Sequence, residues 1–127
     1  MKHLLPILLL LTICYSDFLP TPFIATAYAP LDPAAVEGWD YCGDPTVTAT
    51  GTEARVGVIA VDPDVIPLGS QVWVEGFGWL SAEDRGGAIR GQRIDILMGS
   101  RQEALRWGRR EVRINWEVQP WPDAARN

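Results

Sequence analysis

Apolar and polar residues alternate over several short runs of the chain, which predicts a protein built mainly from β-strands. In the run over residues 110–118, every second position from Val112 to Val118 is apolar, so these side chains share one face. The run over residues 56–61 is apolar almost throughout and is typical of a buried strand. The pattern predicts six strands, at residues 24–28, 56–61, 71–75, 79–82, 93–98 and 110–118.

A single helix is predicted between the last two strands. Ser100 and Glu103 have the spacing of a capping box, in which each side chain accepts a hydrogen bond from a free backbone N–H at the helix start. The helix is expected to run through Trp107 and to stop at Gly108, since glycine readily adopts the left-handed conformation that ends helices. Six strands and one helix, without strand–helix–strand spacing, indicate a small, mainly antiparallel β-barrel.

The N-terminal residues have the pattern of an export signal. Lys2 and His3 precede the apolar run 4–14, which is shorter than the roughly 20 residues that a membrane-spanning helix needs. Cleavage after Ser16 is expected; the alternative is an uncleaved anchor, which would be the protein's only membrane contact. The protein is therefore expected in the cell envelope or outside the cell. Its predicted parts are a leader (1–16), a tether (17–23), one β-domain (24–118) and a C-terminal tail (119–127).

Charge and composition exclude several classes of function. The chain has 127 residues and a formal net charge of −5, which argues against a nucleic-acid partner, because such proteins rely on clustered Lys and Arg. The only histidine, His3, lies in the leader, so no Cys–His pair, Ser–His–Asp triad or histidine-based zinc site is expected. If Cys14 leaves with the leader, Cys42 is the only remaining cysteine, and no intramolecular disulfide is expected.

Three aspartates, Asp62, Asp84 and Asp95, are the candidates for chemistry. Asp95 falls in the middle of a strand, where aspartate is disfavoured, and glycines between Asp84 and Asp95 let the chain turn sharply enough to bring the two together. Partial burial and mutual repulsion raise the pKa of a carboxyl and create a proton donor near neutral pH. Each aspartate also has a simpler interpretation, as a turn residue or a solvent-facing side chain. Calcium coordination by these residues and Asp64 is a further alternative.

Two segments carry a resemblance to a known family. They are residues 62–78 and the string DRGGAIRGQRID over residues 84–95, supported by Trp107 with Gly108 and by the upstream segments 25–28 and 48–51. In residue types and spacing they resemble the 3D domain, named for three aspartates, and the likeness covers about residues 24–118. It implies a six-stranded double-psi β-barrel. It also implies a relationship to the catalytic domain of membrane-bound lytic transglycosylase A and to the muralytic domains of resuscitation-type proteins.

The same resemblance implies an activity and a site. Such enzymes cut the β-1,4 bond between N-acetylmuramic acid and N-acetylglucosamine in the glycan strands of peptidoglycan, leaving a 1,6-anhydro end, and they need no metal or organic cofactor. By position, Asp95 is then the catalytic acid/base, with Asp84 and Asp62 as its companions. The residues implied to border the glycan are Tyr28, Thr48, Thr50, Gly86 and Gly87.

Two other functions remain open on the sequence. A hydrolase of the same bond would use a second carboxylate to activate water or to act as a nucleophile. A non-catalytic barrel would only bind the glycan, with Trp39 and Tyr41 of the long loop 30–45 as surface candidates for sugar stacking.

The chain also departs from the family pattern. Many relatives have threonine where this chain has Arg85, whose guanidinium is expected to lower the pKa of a nearby carboxyl if it points into the site. Some relatives have two cysteines in the loop that here holds only Cys42.

Overall fold

Six strands and one helix form the part of the chain that the computed structural model describes, residues 19–117. The strands are β1 (Thr21–Tyr28), β2 (Val58–Val61), β3 (Gln71–Val74), β4 (Gly78–Asp84), β5 (Arg93–Leu97) and β6 (Arg110–Glu117), and the helix is α1 (Arg101–Trp107). Every predicted strand is present, and so is the helix. The predicted leader (1–16) and tail (119–127) lie outside the described residues.

The strands close into a barrel in the order β1-β5-β2-β4-β3-β6. The pairs β1–β5 and β2–β4 are parallel, and the other neighbouring pairs are antiparallel. Closure pairs the backbone of every strand on both sides, which removes the exposed edges of an open sheet. This confirms the predicted fold class, a mainly β, six-stranded double-psi β-barrel with one short helix.

Alternate side chains of the strands fill the barrel. This interior cluster is Phe23, Ala25, Ile59, Val61, Ile66, Val72, Val74, Ala82, Ile94, Ile96, Val112 and Ile114. A second buried cluster comprises Tyr28, Ala54, Val58, Ala60, Ile89 and Leu97. Because its members on β2 alternate with those of the interior cluster, the second cluster lies on the outer face of the barrel. Two loops reach this face, residues 46–55 through Ala54 and residues 85–92 through Ile89.

Two strands are longer than the sequence pattern predicted. β1 begins at Thr21, although residues 17–23 were expected to form a tether, so that expectation is wrong for its last residues. The reason is that Phe23 is only 2% exposed in the core and that Thr21–Ala25 pair with β6. β4 continues to Asp84 instead of ending at residue 82, because its pairing with β2 resumes after a bulge.

The helix has the predicted ends. At its start, Ser100 accepts a hydrogen bond from the backbone N–H of Glu103 (3.1 Å). At its end, Gly108 has a positive φ of +67°, in the range that favours glycine. The Trp107 indole Nε1 donates to the carbonyl of Ala25 (3.1 Å), which ties α1 to β1. Within residues 19–117, no helix is long and apolar enough to cross a membrane.

Candidate active site

Four side chains form a row across the outer face of the barrel. The strand registers pair Thr26 of β1 with Asp95 of β5, Asp95 with Ala60 of β2, and Ala60 with Asp84 of β4. Since neighbouring strands lie about 4.8 Å apart, the backbones of Asp84 and Asp95 are about 10 Å apart. Only the methyl group of Ala60 lies between the two carboxylates in this row.

A β-bulge places Asp84 in the row. Ile59 pairs with Ala82, but Ala60 pairs with Asp84, so Glu83 is the extra residue. Ala82 points into the barrel, and in a regular strand a residue two positions later would point the same way. The bulge shifts the alternation by one residue. It therefore turns Asp84 outward, toward Tyr28 and the face that carries Asp95.

Asp95 is a half-buried carboxyl with a strongly raised pKa. Its Oδ1 accepts a hydrogen bond from the Thr26 hydroxyl (2.9 Å), and its strand neighbours Ile94 and Ile96 anchor it through the barrel core. Burial raises the pKa of Asp95 from 3.8 to about 6; the Thr26 hydrogen bond and Arg93 oppose this rise, and the charges of Asp84 and Asp40 add to it. Asp95 can therefore both release and accept a proton near neutral pH.

Thr26 and Arg93 fix the direction of that proton. Arg93 Nη2 lies 3.4 Å from Thr26 Oγ1 and Nη1 donates to the carbonyl of Ala88 (3.2 Å). Because Thr26 Oγ1 accepts from Arg93, its own hydrogen points to Oδ1 of Asp95, and the proton of the neutral acid belongs on Oδ2. Neither residue was predicted from the sequence. The sequence does contain an indication of both. In a strand, side chains two residues apart point to the same face, so Thr26 lies on the same face as Tyr28, and Arg93 on the same face as Asp95.

Asp84 is oriented by three hydrogen-bond donors. The Tyr28 hydroxyl donates to Oδ2 (2.8 Å), and the backbone N–H groups of Ala49 and Arg85 donate to Oδ1 (3.0 and 2.9 Å). Tyr28 is 7% exposed. Burial and, next, the negative charge of Asp84 raise the pKa of Tyr28 well above its usual value, so its hydroxyl stays a donor. The structure thus brings two of the three predicted aspartates, with Tyr28, into one site.

The third aspartate, Asp62, directly follows β2 and binds a loop. Its carboxylate accepts from the backbone N–H groups of Gly91 (2.8 Å) and Asp64 (3.0 Å). These hydrogen bonds, followed by the charges of Arg90 and Arg85, lower the pKa of Asp62. The main charged neighbours of Asp95 are instead Arg93, Asp84 and Asp40. Arg85 thus contributes to the lowered pKa of Asp62 and is not among the main charged neighbours of Asp95.

Comparison with known proteins identifies the domain that carries this site. Residues 57–116 match the family described as 3D domain. The chain carries a 3D domain. The match includes Asp62, Asp84 and Asp95, and it confirms the resemblance seen in the sequence.

The chain matches only part of each of two similar proteins. Cell wall-binding protein YocH of Bacillus subtilis is 50% identical over 72 residues, which cover 54% of this chain and 25% of YocH. Putative cell wall shaping protein YabE of the same organism is 49% identical over 71 residues, 53% of this chain and 17% of YabE. The matched region is thus a quarter or less of each relative.

Two solved structures are similar to part of this chain. Lytic transglycosylase LtgG of Burkholderia pseudomallei is 30% identical, with a TM-score of 0.47 over 55% of this chain and 25% of LtgG. MltA from E. coli is 26% identical, with a TM-score of 0.45 over 59% of this chain and 28% of MltA.

The predicted groove threonines, Thr48 and Thr50, have hydroxyls that form hydrogen bonds within the protein. Thr48 is 5% exposed, and its Oγ1 lies 3.1 Å from that of Thr50 and 2.6 Å from that of Thr52. Thr50 Oγ1 also donates to the carbonyl of Glu83 (2.9 Å). This network braces the loop whose Ala49 N–H reaches Asp84. A direct contact of Thr48 or Thr50 with substrate stays a prediction.

The predicted glycines lie in the loop 85–92. A Cβ on Gly86 would stand 3.1 Å from a side-chain carbon of Ile89, whereas one on Gly87 would meet open space. Gly86 also lines a shallow pocket of about 70 Å³ that includes Asp62, Arg85 and Arg90. Asp84 and Asp95 are not among the residues that line this pocket, although Arg85 directly follows Asp84 in the chain.

Glu83, the extra residue of the bulge, anchors the loop 46–55. It is 5% exposed and binds Arg55 through both carboxylate oxygens, at 3.1 and 2.6 Å. Burial alone would raise the pKa of Glu83, but hydrogen bonds from Arg55, Thr52 and Ser81 outweigh it and lower that pKa. No sequence pattern indicated this ion pair, because Glu83 falls outside the predicted strand 79–82.

The calcium alternative finds no support in the described residues. Between residues 19 and 117, no three acidic, histidine or cysteine side chains cluster closely enough to hold a metal ion.

Replacement of Asp62 by alanine is expected to loosen the loop 85–92. The backbone N–H of Gly91 would lose its acceptor, and a hydrogen bond contributes about 0.5–1.5 kcal/mol, so its amide should exchange with solvent about two- to tenfold faster. Hydrogen exchange followed by NMR measures this. Asp64→Ala is the control, since Asp64 contacts Asp62 through its backbone N–H alone. Unchanged exchange at Gly91 in Asp62→Ala would contradict the clamping role.

Proposed function

We propose that this protein acts on peptidoglycan as a lytic transglycosylase, cleaving the β-1,4 bond between N-acetylmuramic acid and N-acetylglucosamine. The observation that carries the proposal is the half-buried Asp95, with a pKa raised to about 6, in register with the oriented Asp84. The names of the relatives YocH and YabE, which refer to the cell wall, support the choice of polymer. With peptidoglycan as its substrate, the protein would act in the cell envelope or outside the cell.

One carboxyl is sufficient for this reaction. Asp95 gives the proton on its Oδ2 to the glycosidic oxygen, and the bond from that oxygen to C1 of the muramic acid breaks. The resulting Asp95 carboxylate then takes the proton of the C6 hydroxyl of the same sugar, while the C6 oxygen bonds to C1. The products are a free hydroxyl on one fragment and a 1,6-anhydro ring on the other. Asp95 ends protonated, as it began.

Asp84 and Asp62 have different parts in this proposal. Asp84 lies beside Asp95 on the outer face, and its carboxylate favours the positive charge that develops at C1 as the bond breaks. Its three donors keep it in place during that step. Asp62 positions the loop 85–92 that borders the site, through its hydrogen bond to Gly91, and does not touch the reacting atoms.

The test is product analysis. Purified sacculi are digested with the protein, and the soluble fragments are identified by mass spectrometry. Fragments that end in 1,6-anhydro-N-acetylmuramic acid are expected. Reducing muramic ends would mean that the protein is a hydrolase of the same bond, and release of no fragments would overturn the enzymatic proposal.

A non-catalytic, glycan-binding barrel is the second candidate function. The observation that favours it is the name of YocH, a cell wall-binding protein. Under this alternative the protein would sediment with sacculi and release nothing soluble, and Asp95→Asn would sediment as well as the wild type.

Replacement of Thr26 by valine is expected to change the pH profile of cleavage. The Thr26 hydrogen bond lowers the pKa of Asp95, so its loss raises that pKa further. The alkaline limb of the rate profile should then move to higher pH, because the acid stays protonated longer. The maximal rate should fall roughly fivefold, since one orienting hydrogen bond of about 1 kcal/mol is lost.

Thr26→Ser is the matched control for this experiment, because it keeps the hydroxyl. It should retain the wild-type profile. An unshifted alkaline limb in Thr26→Val would mean that Thr26 does not act on the proton-carrying group.

A further inference from the structure

We propose that the loop 29–45 presents Trp39 as a stacking platform for a neutral sugar ring of the glycan strand, beside the ring that reacts. This inference rests on the proposed function, and it assigns a binding subsite that the carboxylate row does not supply.

Trp39 is the most exposed tryptophan among the described residues. Its exposed fraction is 84%, compared with 55% for Trp79, whereas Trp107 and Trp116 pack partly buried against the core. A large indole left in water forgoes the stabilisation that burial provides. Trp39 therefore has no part in the packing of the fold, and its broad apolar face is free for a ligand.

The backbone that carries Trp39 is held on both sides. The adjacent Asp40 is only 8% exposed and accepts hydrogen bonds from the backbone N–H groups of Ala29 (3.1 Å) and Val36 (2.9 Å) and from Arg101 Nη1 (2.9 Å). The Trp39 N–H donates to the carbonyl of Val36 (3.1 Å). A ligand that stacks on a side chain whose backbone is held in this way pays little for ordering the loop.

A second contact ties the same loop to the start of α1. Asp32 accepts from the backbone N–H of Arg101 (2.7 Å), so that Arg101 joins the loop through both its backbone and its side chain. Within the turn, Gly38 donates to the carbonyl of Tyr41 (2.8 Å). The loop is thus a braced structure on a rigid element, which is the arrangement that a precise binding subsite requires.

The loop borders the carboxylate row. It begins at Ala29, directly after Tyr28, whose hydroxyl binds Asp84. The Asp40 carboxylate is near enough to Asp95 for its charge to contribute to the raised pKa of that residue. Trp39, next to Asp40 in sequence, therefore stands at the margin of the same site, where the glycan strand would extend away from the bond that breaks.

The charge of the loop indicates which ligand fits. Residues 29–45 contain four acidic side chains and no lysine or arginine: Asp32, Glu37, Asp40 and Asp44. Such a surface repels a phosphate-rich polymer. The apolar C–H face of a neutral pyranose ring instead matches an exposed indole, while the ring hydroxyls remain in water. N-acetylglucosamine rings of the glycan strand have this chemistry.

Trp39→Ala tests the inference, with Trp79→Ala as the matched control on the β3–β4 hairpin. Each substitution is placed in the Asp95→Asn chain, so that binding to purified, peptide-free glycan strands is measured without cleavage. Trp39→Ala is expected to weaken binding about tenfold, which corresponds to about 1.4 kcal/mol, whereas Trp79→Ala and Trp39→Tyr should retain most of the affinity. Circular dichroism and the thermal midpoint of each variant check that the fold is kept.

The outcomes separate this inference from the proposed function. Unchanged affinity in Trp39→Ala, or an equal loss in Trp79→Ala, overturns the Trp39 subsite even if the wild type releases anhydro ends. A selective loss in Trp39→Ala supports the subsite even if the wild type releases nothing soluble, in which case only the cleavage proposal fails.

Discussion

Replacement of Asp95 by asparagine is expected to lower the rate of glycan cleavage by about 10²–10⁴-fold, the usual contribution of a general acid–base group. Asparagine has nearly the same shape and can still accept the Thr26 hydrogen bond through its amide oxygen. It can neither donate an acidic proton to the glycosidic oxygen nor take one from the C6 hydroxyl. The barrel should remain folded, because the anchoring residues Ile94 and Ile96 are unchanged.

The measurement is the rate of release of anhydro-muropeptides from sacculi by the wild type and the variant at equal concentration. Glu111→Gln is the control, since it neutralises an exposed carboxyl on β6 that is not in the carboxylate row. It should keep the wild-type rate. If Asp95→Asn cleaves as fast as the wild type, the proton carrier is another group and the proposed mechanism is wrong.

The same substitution is expected to stabilise the protein at neutral pH. Folding raises the pKa of Asp95 from 3.8 to about 6, so between these values the folded protein keeps a proton that the unfolded chain has released. The free energy of unfolding therefore falls as the pH rises through this window. At about 1.4 kcal/mol per pKa unit, the loss above pH 6 amounts to about 3 kcal/mol. Asp95→Asn removes this loss, because asparagine does not ionise.

Denaturant unfolding at two pH values measures the effect. At about pH 7.5 the variant should be more stable than the wild type by up to about 3 kcal/mol, and near pH 4 the two should differ little. The contributions of carboxylates that do not interact with Asp95 cancel in the comparison. An equal gain at both pH values would mean that the gain comes from packing, and no gain at either would mean that Asp95 is not desolvated.

These two expectations describe one property of Asp95. Partial burial keeps its proton available near neutral pH, and the same burial costs stability once the proton is lost. Sites that work by a displaced pKa commonly reduce the stability of the fold in this way. The interior cluster on the other face of β5 supplies the packing that holds the carboxyl in place.

The sequence by itself determined the secondary-structure elements and the candidate site residues. Alternation of apolar residues identified the six strands, and the spacing of Ser100, Glu103 and Gly108 identified the helix and its ends. Those features depend on neighbouring residues, so local patterns reveal them. The mid-strand position of Asp95 and the glycine-rich string before it also marked the site, because aspartate has little structural reason to occupy a strand.

Only the tertiary structure decided which groups meet. The bulge at Glu83 turns Asp84 outward, and the parallel pairing of β1 with β5 brings Thr26 to Asp95; both depend on partner strands far away in the chain. Asp62 resembles the other two aspartates in the sequence, yet in the structure its carboxylate binds the backbone N–H of Gly91. Burial and charge act through space and not along the chain. For this reason the raised pKa of Asp95 and the hydrogen bond from Gly91 to Asp62 appear only in the folded barrel.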